Sequence, residues 1–166
     1  MRQGDMLMLA DLRGMGETCE REDANDWKYY NREYHNAMIS LHLGKPIVGQ
    51  RITDLLTLID FLDHQDSGED LPVHLFSSGA TGPVAIYGAL LRPQVKSVRV
   101  SNSIQSYLDI LNHPMEVDWY SYVIPNVLAY FDLPDLAALR DDLEIRFQGE
   151  KPRIEDHTIN KNRKIQ

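Results

Sequence analysis

The sequence lacks most of the features that define a function by themselves. Its 166 residues include one cysteine, Cys19, which excludes a disulfide within the chain and a cysteine-rich metal site. No apolar run approaches the roughly 20 residues that a transmembrane helix needs. The first residues also lack an apolar stretch long enough for a signal peptide. The sequence therefore indicates no membrane segment and no particular cellular compartment.

Basic residues are also in the minority. The chain has 17 lysines and arginines against 25 aspartates and glutamates, which gives a formal charge of −8. A surface of this sign repels phosphate groups, so nucleic acids and anionic membranes are not expected as partners. A composition of 43% hydrophobic and 25% charged residues is typical of a folded protein, and the length suits one domain.

Motifs for metals and phosphates are missing as well. The six histidines form no His-Glu-x-x-His motif and no cluster with the cysteine, so we predict no metal and no cofactor. His74 falls inside a predicted strand, where we expect its ring to be hydrogen-bonded. His113 precedes a proline in a loop and is the histidine expected to line a cleft. His157 falls in a polar tail and is expected to be exposed.

Hydrophobic patterning predicts strands that alternate with helices. Short apolar or alternating runs typical of strands occur at residues 6–10, 73–76, 97–100 and 143–149. Apolar residues three and four apart predict helices over residues 27–44, 49–64 and 82–91. Strands separated by helices are typical of an α/β fold. We therefore predict a three-layer parallel sheet of about four strands, flanked by helices on both faces. The domain is expected to cover residues 1–149, and the polar segment 150–166 to form a C-terminal tail.

The segment with the most chemical information is "LPVHLFSSGATGPVAIYGALL", residues 71–91. It predicts a buried strand, a tight turn of small residues and a helix. This is the pattern of a nucleophile elbow, in which small neighbours let one side chain project above the strand ends. The N-terminus of the following helix would then offer N–H groups to an oxyanion.

Four segments, taken in chain order, resemble parts of an α/β-hydrolase-fold protein, and in particular of acetylxylan-esterase-like hydrolases. They are "ADLRGMGET", "GKPIVGQRITDLLTLIDFL", the elbow-like segment and "YFDLPDLAAL", and the resemblance extends from about residue 6 to about residue 140. It implies a partial α/β-hydrolase-like domain and a serine esterase that acts on an acetylated carbohydrate or another small ester.

The serine that the resemblance implies is absent from both of its possible positions. The family motif is Gly-x-Ser-x-Gly. Counting from the end of the strand puts Gly79 at the serine position, whereas taking Gly82 as the last glycine puts Ala80 there. Neither residue has a group that can attack an ester carbonyl. Ser77 and Ser78 lie before the tip, and we expect their hydroxyls to form local hydrogen bonds.

The remaining members of a catalytic triad are not marked by any motif. The resemblance implies an acid after the next-to-last strand and a histidine after the last one. His113 and His157 are weak candidates for the histidine, and no predicted strand follows residues 143–149. The resemblance also implies earlier strands, so a sheet edge would be covered by self-association or by a missing N-terminal segment.

Two interpretations therefore remain open. The first is a hydrolase-like chain of carbohydrate-esterase ancestry, active only if other residues or another chain complete the site. The second is a non-catalytic binding or structural module that uses the remnant cleft near Gly79, His113 and Trp119.

The sequence also predicts the environment of several charged and aromatic side chains outside the elbow. Arg13, in the turn after the first predicted strand, is expected to be held by a carboxylate. Arg51, Asp54 and Asp60 are expected on a solvated helix face or in local ion pairs. The aromatic run at residues 118–131 is expected to pack in the core, with a sugar-stacking surface as the alternative.

Overall fold

The computed structural model describes residues 6–19, 32–65, 72–112 and 119–148. These residues form α1 (Arg32–His42), α2 (Ile47–Gln65), β1 (Val73–Ser78), α3 (Thr81–Leu91), β2 (Val95–Ser101), α4 (Tyr107–Asn112), α5 (Leu133–Ala137) and β3 (Glu144–Gln148). Short 3-10 helices occur at Gly16–Thr18, Trp119–Tyr122 and Val127–Ala129. The predicted α/β class is confirmed. The predicted tail at 150–166 and residues 27–31 of the first predicted helix lie outside the described residues.

The three strands form one parallel sheet in the order β1-β2-β3. Leu75 lies beside Val98, and Val98 lies beside Ile145. Because the strand order follows the chain and parallel crossovers are right-handed, both crossovers place their helices on the same face of the sheet. The other face is open within the described part of the chain, and Phe76 on that face is 69% exposed. The prediction of helices on both faces is not met there.

The predicted first strand, at residues 6–10, is wrong. The segment is irregular, and none of the three described strands pairs with it. Its large apolar side chains are exposed: Met6 by 67%, Leu7 by 61%, Met8 by 39% and Leu9 by 87%. A strand requires a neighbour as well as a suitable sequence, and the described residues provide this segment with none. The core begins at Leu12, which packs with Val48 and Val84.

Gly44, in the turn between α1 and α2, caps the C-terminus of α1. Gly44 has a φ of 67°, in the left-handed region that glycine adopts without steric penalty. Its N–H donates to the Leu41 carbonyl at 2.9 Å, and the Lys45 N–H donates to the Ser40 carbonyl at 2.9 Å. This pair of bonds is the Schellman motif, which satisfies the last carbonyls of α1. None of the described helices is both long and apolar enough to cross a membrane.

Arg51 does not lie on a solvated face, as the sequence had suggested, but is fully buried. Its Nε donates to the Arg13 carbonyl at 3.1 Å, and its Nη2 donates to Glu33 Oε1 at 2.8 Å. The other oxygen of Glu33 accepts a hydrogen bond from Ser121 Oγ. Arg51 thus connects the turn at residues 13–14 with α1 and with the segment that contains Ser121.

Two of the three aspartates of α2, Asp54 and Asp60, also form ion pairs beyond their own helix. Asp54 accepts from Arg13 Nε at 2.7 Å, and this hydrogen bond holds the pKa of Asp54 below its usual value. Asp60 forms a bidentate pair with Arg92, at 2.6 and 2.7 Å. The predicted carboxylate partner of Arg13 is confirmed. The predicted local ion pairs are wrong, because the partners lie on other elements, whereas the Asp60 side chain is solvated as expected, at 45% exposure.

Glycines let α3 approach its neighbours on two sides. A Cβ atom on Gly82 would lie 2.7 Å from Ser103 Cβ and 2.8 Å from Val100 Cγ1. A Cβ atom on Gly88 would lie 2.6 Å from Leu55 Cδ2 of α2. Real carbon atoms do not approach so closely. The contact at Gly82 needs glycine because Ser103 Cβ cannot move without its backbone, whereas at Gly88 the end of the Leu55 side chain would have to shift. The two glycines bring the sheet, α3 and α2 into close contact.

We expect Gly82→Ala to destabilise the protein by about 1–3 kcal/mol, because the added methyl group overlaps buried atoms of β2 and of the loop after it. Gly49→Ala is the matched control, since Gly49 lies in α2 and a Cβ atom there would have no neighbour within 4 Å. That change should stabilise by about 0.5 kcal/mol through the unfolded chain. Urea unfolding of both variants measures the difference, and equal midpoints would contradict the close contact.

Candidate functional site

The turn between β1 and α3 resolves the choice between Gly79 and Ala80. Gly79 has a φ of 57°, and its N–H donates to the Ser101 carbonyl at 2.9 Å. Ala80 has φ −60° and ψ −16°, so it already belongs to the helical turn. In an elbow the strained residue between strand and helix is the tip. The tip of this turn is therefore Gly79.

The tip has room for a side chain but carries none. The nearest atom to a Cβ placed on Gly79 would be the Asn102 carbonyl oxygen, 4.0 Å away. Steric crowding therefore does not explain the glycine, whereas the left-handed backbone favours it. A group with an attacking oxygen is missing at the point where an elbow would present one.

Ser77 and Ser78 do not replace the missing group. Ser77 Oγ lies 3.5 Å from the Arg99 carbonyl of β2, and Ser78 is exposed on the open face of the sheet. The turn is closed by Thr81, whose hydroxyl accepts from the Ser78 N–H at 3.2 Å and donates to the Ser78 carbonyl at 2.9 Å. Reasoning from the sequence missed Thr81, although a hydroxyl residue three positions after a strand end is a recognised turn signal.

The histidines do not complete a triad around Gly79 within the described residues. His113 and His157 lie outside those residues. His74 is exposed on the open sheet face, and its Nδ1 lies 2.8 Å from Ser97 Oγ, so the predicted hydrogen bond of its ring is confirmed. Glu144 lies beside Ser97 in the register. A triad needs the histidine between hydroxyl and acid, whereas here the serine is in the middle and Glu144 binds Arg146.

The expected cleft near Gly79, His113 and Trp119 is wrong with respect to Trp119. That side chain is buried and packs edge-on against Tyr122, with 5.6 Å between the ring centroids. Tyr120 packs in the same way against Tyr34, at 4.7 Å. The prediction that this aromatic run packs in the core is confirmed for Trp119 and Tyr122. A sugar-stacking surface built on these two rings is excluded by their burial.

A cavity of about 440 Å³ lies between α4 and residues 123–129. Its volume is in the range of small-molecule sites. Its walls are mainly aliphatic and are formed by Ile110, Leu111, Val123, Ile124, Val127 and Leu128. Tyr107 also lines it, and the Tyr107 hydroxyl lies 3.2 Å from that of Tyr87. Burial raises the pKa of Tyr107 far above its usual value, so this hydroxyl is neutral at ordinary pH.

Asp132 fixes the position of α4 relative to α5. Its Oδ1 accepts from the Tyr107 N–H at 2.6 Å and from the Leu133 N–H at 2.7 Å, and its Oδ2 accepts from Ser106 Oγ. One carboxylate therefore caps the start of both helices. Burial alone would raise the pKa of Asp132, but these hydrogen bonds outweigh it and lower the pKa.

Substitutions of Gly79 test its position at the tip. We expect Gly79→Ala to destabilise by about 1–2 kcal/mol, because the left-handed conformation is strained for an alanine. Gly79→Asn is the matched control and should cost less, because asparagine adopts this conformation more readily. Thermal or urea unfolding provides the measurement. Equal losses for the two variants would mean that the backbone at residue 79 is not left-handed.

Asp132→Asn tests the double cap through its pH dependence. The folded-state pKa is depressed, so the stabilisation is complete above the unfolded pKa of about 3.9 and is lost as the pH falls through the folded value. At pH 7 we expect the variant to be about 1–2 kcal/mol less stable than wild type, and the gap should shrink below about pH 4. Asp141→Asn, at an exposed position, is the control. A gap that does not change with pH would contradict the charged cap.

The described side chains contain no group of three or more His, Cys, Asp or Glu residues that would hold a metal ion. No protein-family model, no curated protein and no solved structure matches the chain. The function therefore has to be inferred from the turn at residues 77–82, the cavity beside α4 and the residues around them.

Proposed function

We propose that the chain is an α/β-hydrolase-like protein of carbohydrate (acetylxylan) esterase ancestry that has lost its own serine-esterase triad and serves as a binding module. The proposal is supported by the order of the four hydrolase-like segments and by the connection from β1 through a left-handed residue into α3. The close approach of α3 to β2 at Gly82 is a further feature that such elbows need.

One observation favours binding over catalysis. The left-handed residue is Gly79, which has no side chain, and the neighbouring serines are directed elsewhere. Acyl transfer by a serine enzyme begins with attack by a hydroxyl that a base has activated. Without an oxygen at the tip this first step does not occur there. The N-terminal turn of α3 would then have no developing oxyanion to stabilise.

The pair of His74 and Ser97 is the other arrangement with hydrolytic potential. It lies in the middle of an exposed sheet face, and no described acid stands behind the histidine. Water reaches the pair freely, so electrostatic stabilisation of a transition state would be weak. We therefore treat this pair as a source of background activity that the experiment must control.

The cavity beside α4 is the proposed ligand site. Its aliphatic walls favour the acyl part of a small ester over a sugar ring, because they offer few hydrogen-bond partners to sugar hydroxyls. The Tyr107 hydroxyl is already paired with Tyr87, so the amide of Asn126, which also lines the cavity, is the proposed donor to an ester carbonyl.

We expect purified protein to bind 4-nitrophenyl acetate without turning it over. Hydrolysis should stay within about twofold of the buffer rate for wild type and for Ser77→Ala, Ser78→Ala and Ser97→Ala, because no activated hydroxyl is available. Intact mass after treatment with a fluorophosphonate should show no adduct. Methyl resonances of Ile110 and Val127 should shift with added ester, less so in Leu111→Glu, while Leu43→Glu serves as the control at another exposed leucine.

A covalent adduct that disappears in one serine variant would establish a catalytic nucleophile and overturn the loss of the triad. Turnover that is abolished only in Ser97→Ala would move the chemistry to the open sheet face. Methyl shifts that are equal in Leu111→Glu and Leu43→Glu would remove the cavity as the ligand site.

A further inference from the structure

The outer edge of β1 presents backbone groups without a strand partner in the described part of the chain. The Val73 N–H donates to the Gln94 carbonyl and the Gly79 N–H donates to the Ser101 carbonyl, both at 2.9 Å. In a strand, alternate residues direct their backbone N–H and C=O groups to opposite edges. The odd-numbered residues of β1 therefore face β2, and His74 and Phe76 direct these groups to the outer edge. Such an edge accepts an added strand.

The two edges of the sheet differ in how they are protected. β3 carries Glu144 and Arg146, a charged pair whose side chains are more than half exposed. Charges on an edge strand discourage pairing with another chain. β1 contains no lysine, arginine, aspartate or glutamate, and its Phe76 is 69% exposed. Strand addition is therefore expected at β1 rather than at β3.

The same chain also contains an apolar segment that has no strand partner among the described residues. Residues 6–10 are apolar, contain neither proline nor glycine, and have four large side chains in contact with water. Their C-terminal end is fixed, because Leu12 is buried against Val48 and Val84 while Arg13 pairs with Asp54. In the single chain the segment pairs with none of the described strands, although it is tethered to the same core as β1.

We propose that two copies of the chain associate by exchange of this segment, so that residues 6–10 of each copy add as a strand to the outer edge of β1 in the other. Within the described residues each copy offers a free edge and an unpaired apolar segment, and a twofold axis satisfies both at once. The exchange buries the alternate apolar side chains that fall on the helix-covered face of the sheet, and it gives the His74 and Phe76 backbone its missing partners. This association is independent of the chemistry at Gly79.

The charge of −8 on each copy opposes the association at long range. Added salt screens this repulsion, while the apolar contacts and backbone hydrogen bonds are little affected. The dimer should therefore become tighter between low and moderate ionic strength. An association held by ion pairs would show the reverse dependence.

Sedimentation equilibrium of the full chain, over a range of protein and salt concentrations, tests the proposal. Leu9→Lys and His74→Pro should each raise the dimer dissociation constant at least about tenfold. The first places a charge in the added strand, and the second removes an N–H from the outer edge without touching the β1–β2 ladder. Leu139→Lys, at a leucine that is 69% exposed elsewhere, and His74→Thr, which keeps the N–H, are the matched controls and should leave the constant unchanged.

Amide hydrogen exchange identifies the contact. The His74 and Phe76 amides should become protected as the protein concentration rises, whereas that of Phe147, which faces the outer edge of β3, should not. A chain that is monomeric at all concentrations would overturn the proposal. So would a dimer that is equally weakened by Leu139→Lys, or one that leaves the His74 and Phe76 amides unprotected, because the interface would then lie elsewhere.

Discussion

The structure depends on two glycines of α3, Gly82 and Gly88, which let its neighbours pack closely on two sides of the helix. This helix packs against β2 and the loop after it at Gly82 and against Leu55 of α2 at Gly88, and neither contact has space for a methyl group. Arg140 then holds the far end of α3, where its Nη1 donates to the Ala89 and Arg92 carbonyls. Packing against α3 sets the positions of both the sheet and α2. The positions of the sheet, of α2 and of the turn at residue 79 are therefore coupled.

The same coupling explains how the turn keeps its shape without a nucleophile. A serine at a left-handed position is strained by about 1–2 kcal/mol, and enzymes tolerate such strain where the chemistry requires it. Glycine adopts that conformation without the strain, and the Thr81 hydroxyl closes the turn from the helix side. In the binding module proposed above, where catalysis is not required, glycine is the more stable residue at the tip. The shape of an elbow is therefore weak evidence for esterase activity, and the atom at its tip is decisive.

Local patterns in the sequence predicted the elements well but failed where long-range partners decide. The 3.6-residue period located α1 and α2, and the apolar runs located β1 and β2. The run at residues 6–10 has the composition of a strand, yet composition does not specify the neighbour that pairing requires. Arg51 was misplaced for a related reason: its burial depends on Glu33 and the Arg13 carbonyl, 18 and 38 positions away. The sequence fits the Gly-x-Ser-x-Gly motif in two registers. Only the backbone angles of the structure identify Gly79, rather than Ala80, as the left-handed residue at the tip.

The open face and the open edge of the sheet present different physical problems. On the face, polar side chains find partners across the strands: His74 with Ser97, Arg146 with Glu144, and Arg99 over the Phe76 ring at 5.5 Å. Water and these pairs together satisfy that surface, so it does not require a covering helix. Side chains cannot satisfy the edge in the same way, because its unpaired groups belong to the backbone and point along the plane of the sheet. The need for a partner is therefore concentrated at the edge of β1, beside a face that is already solvated.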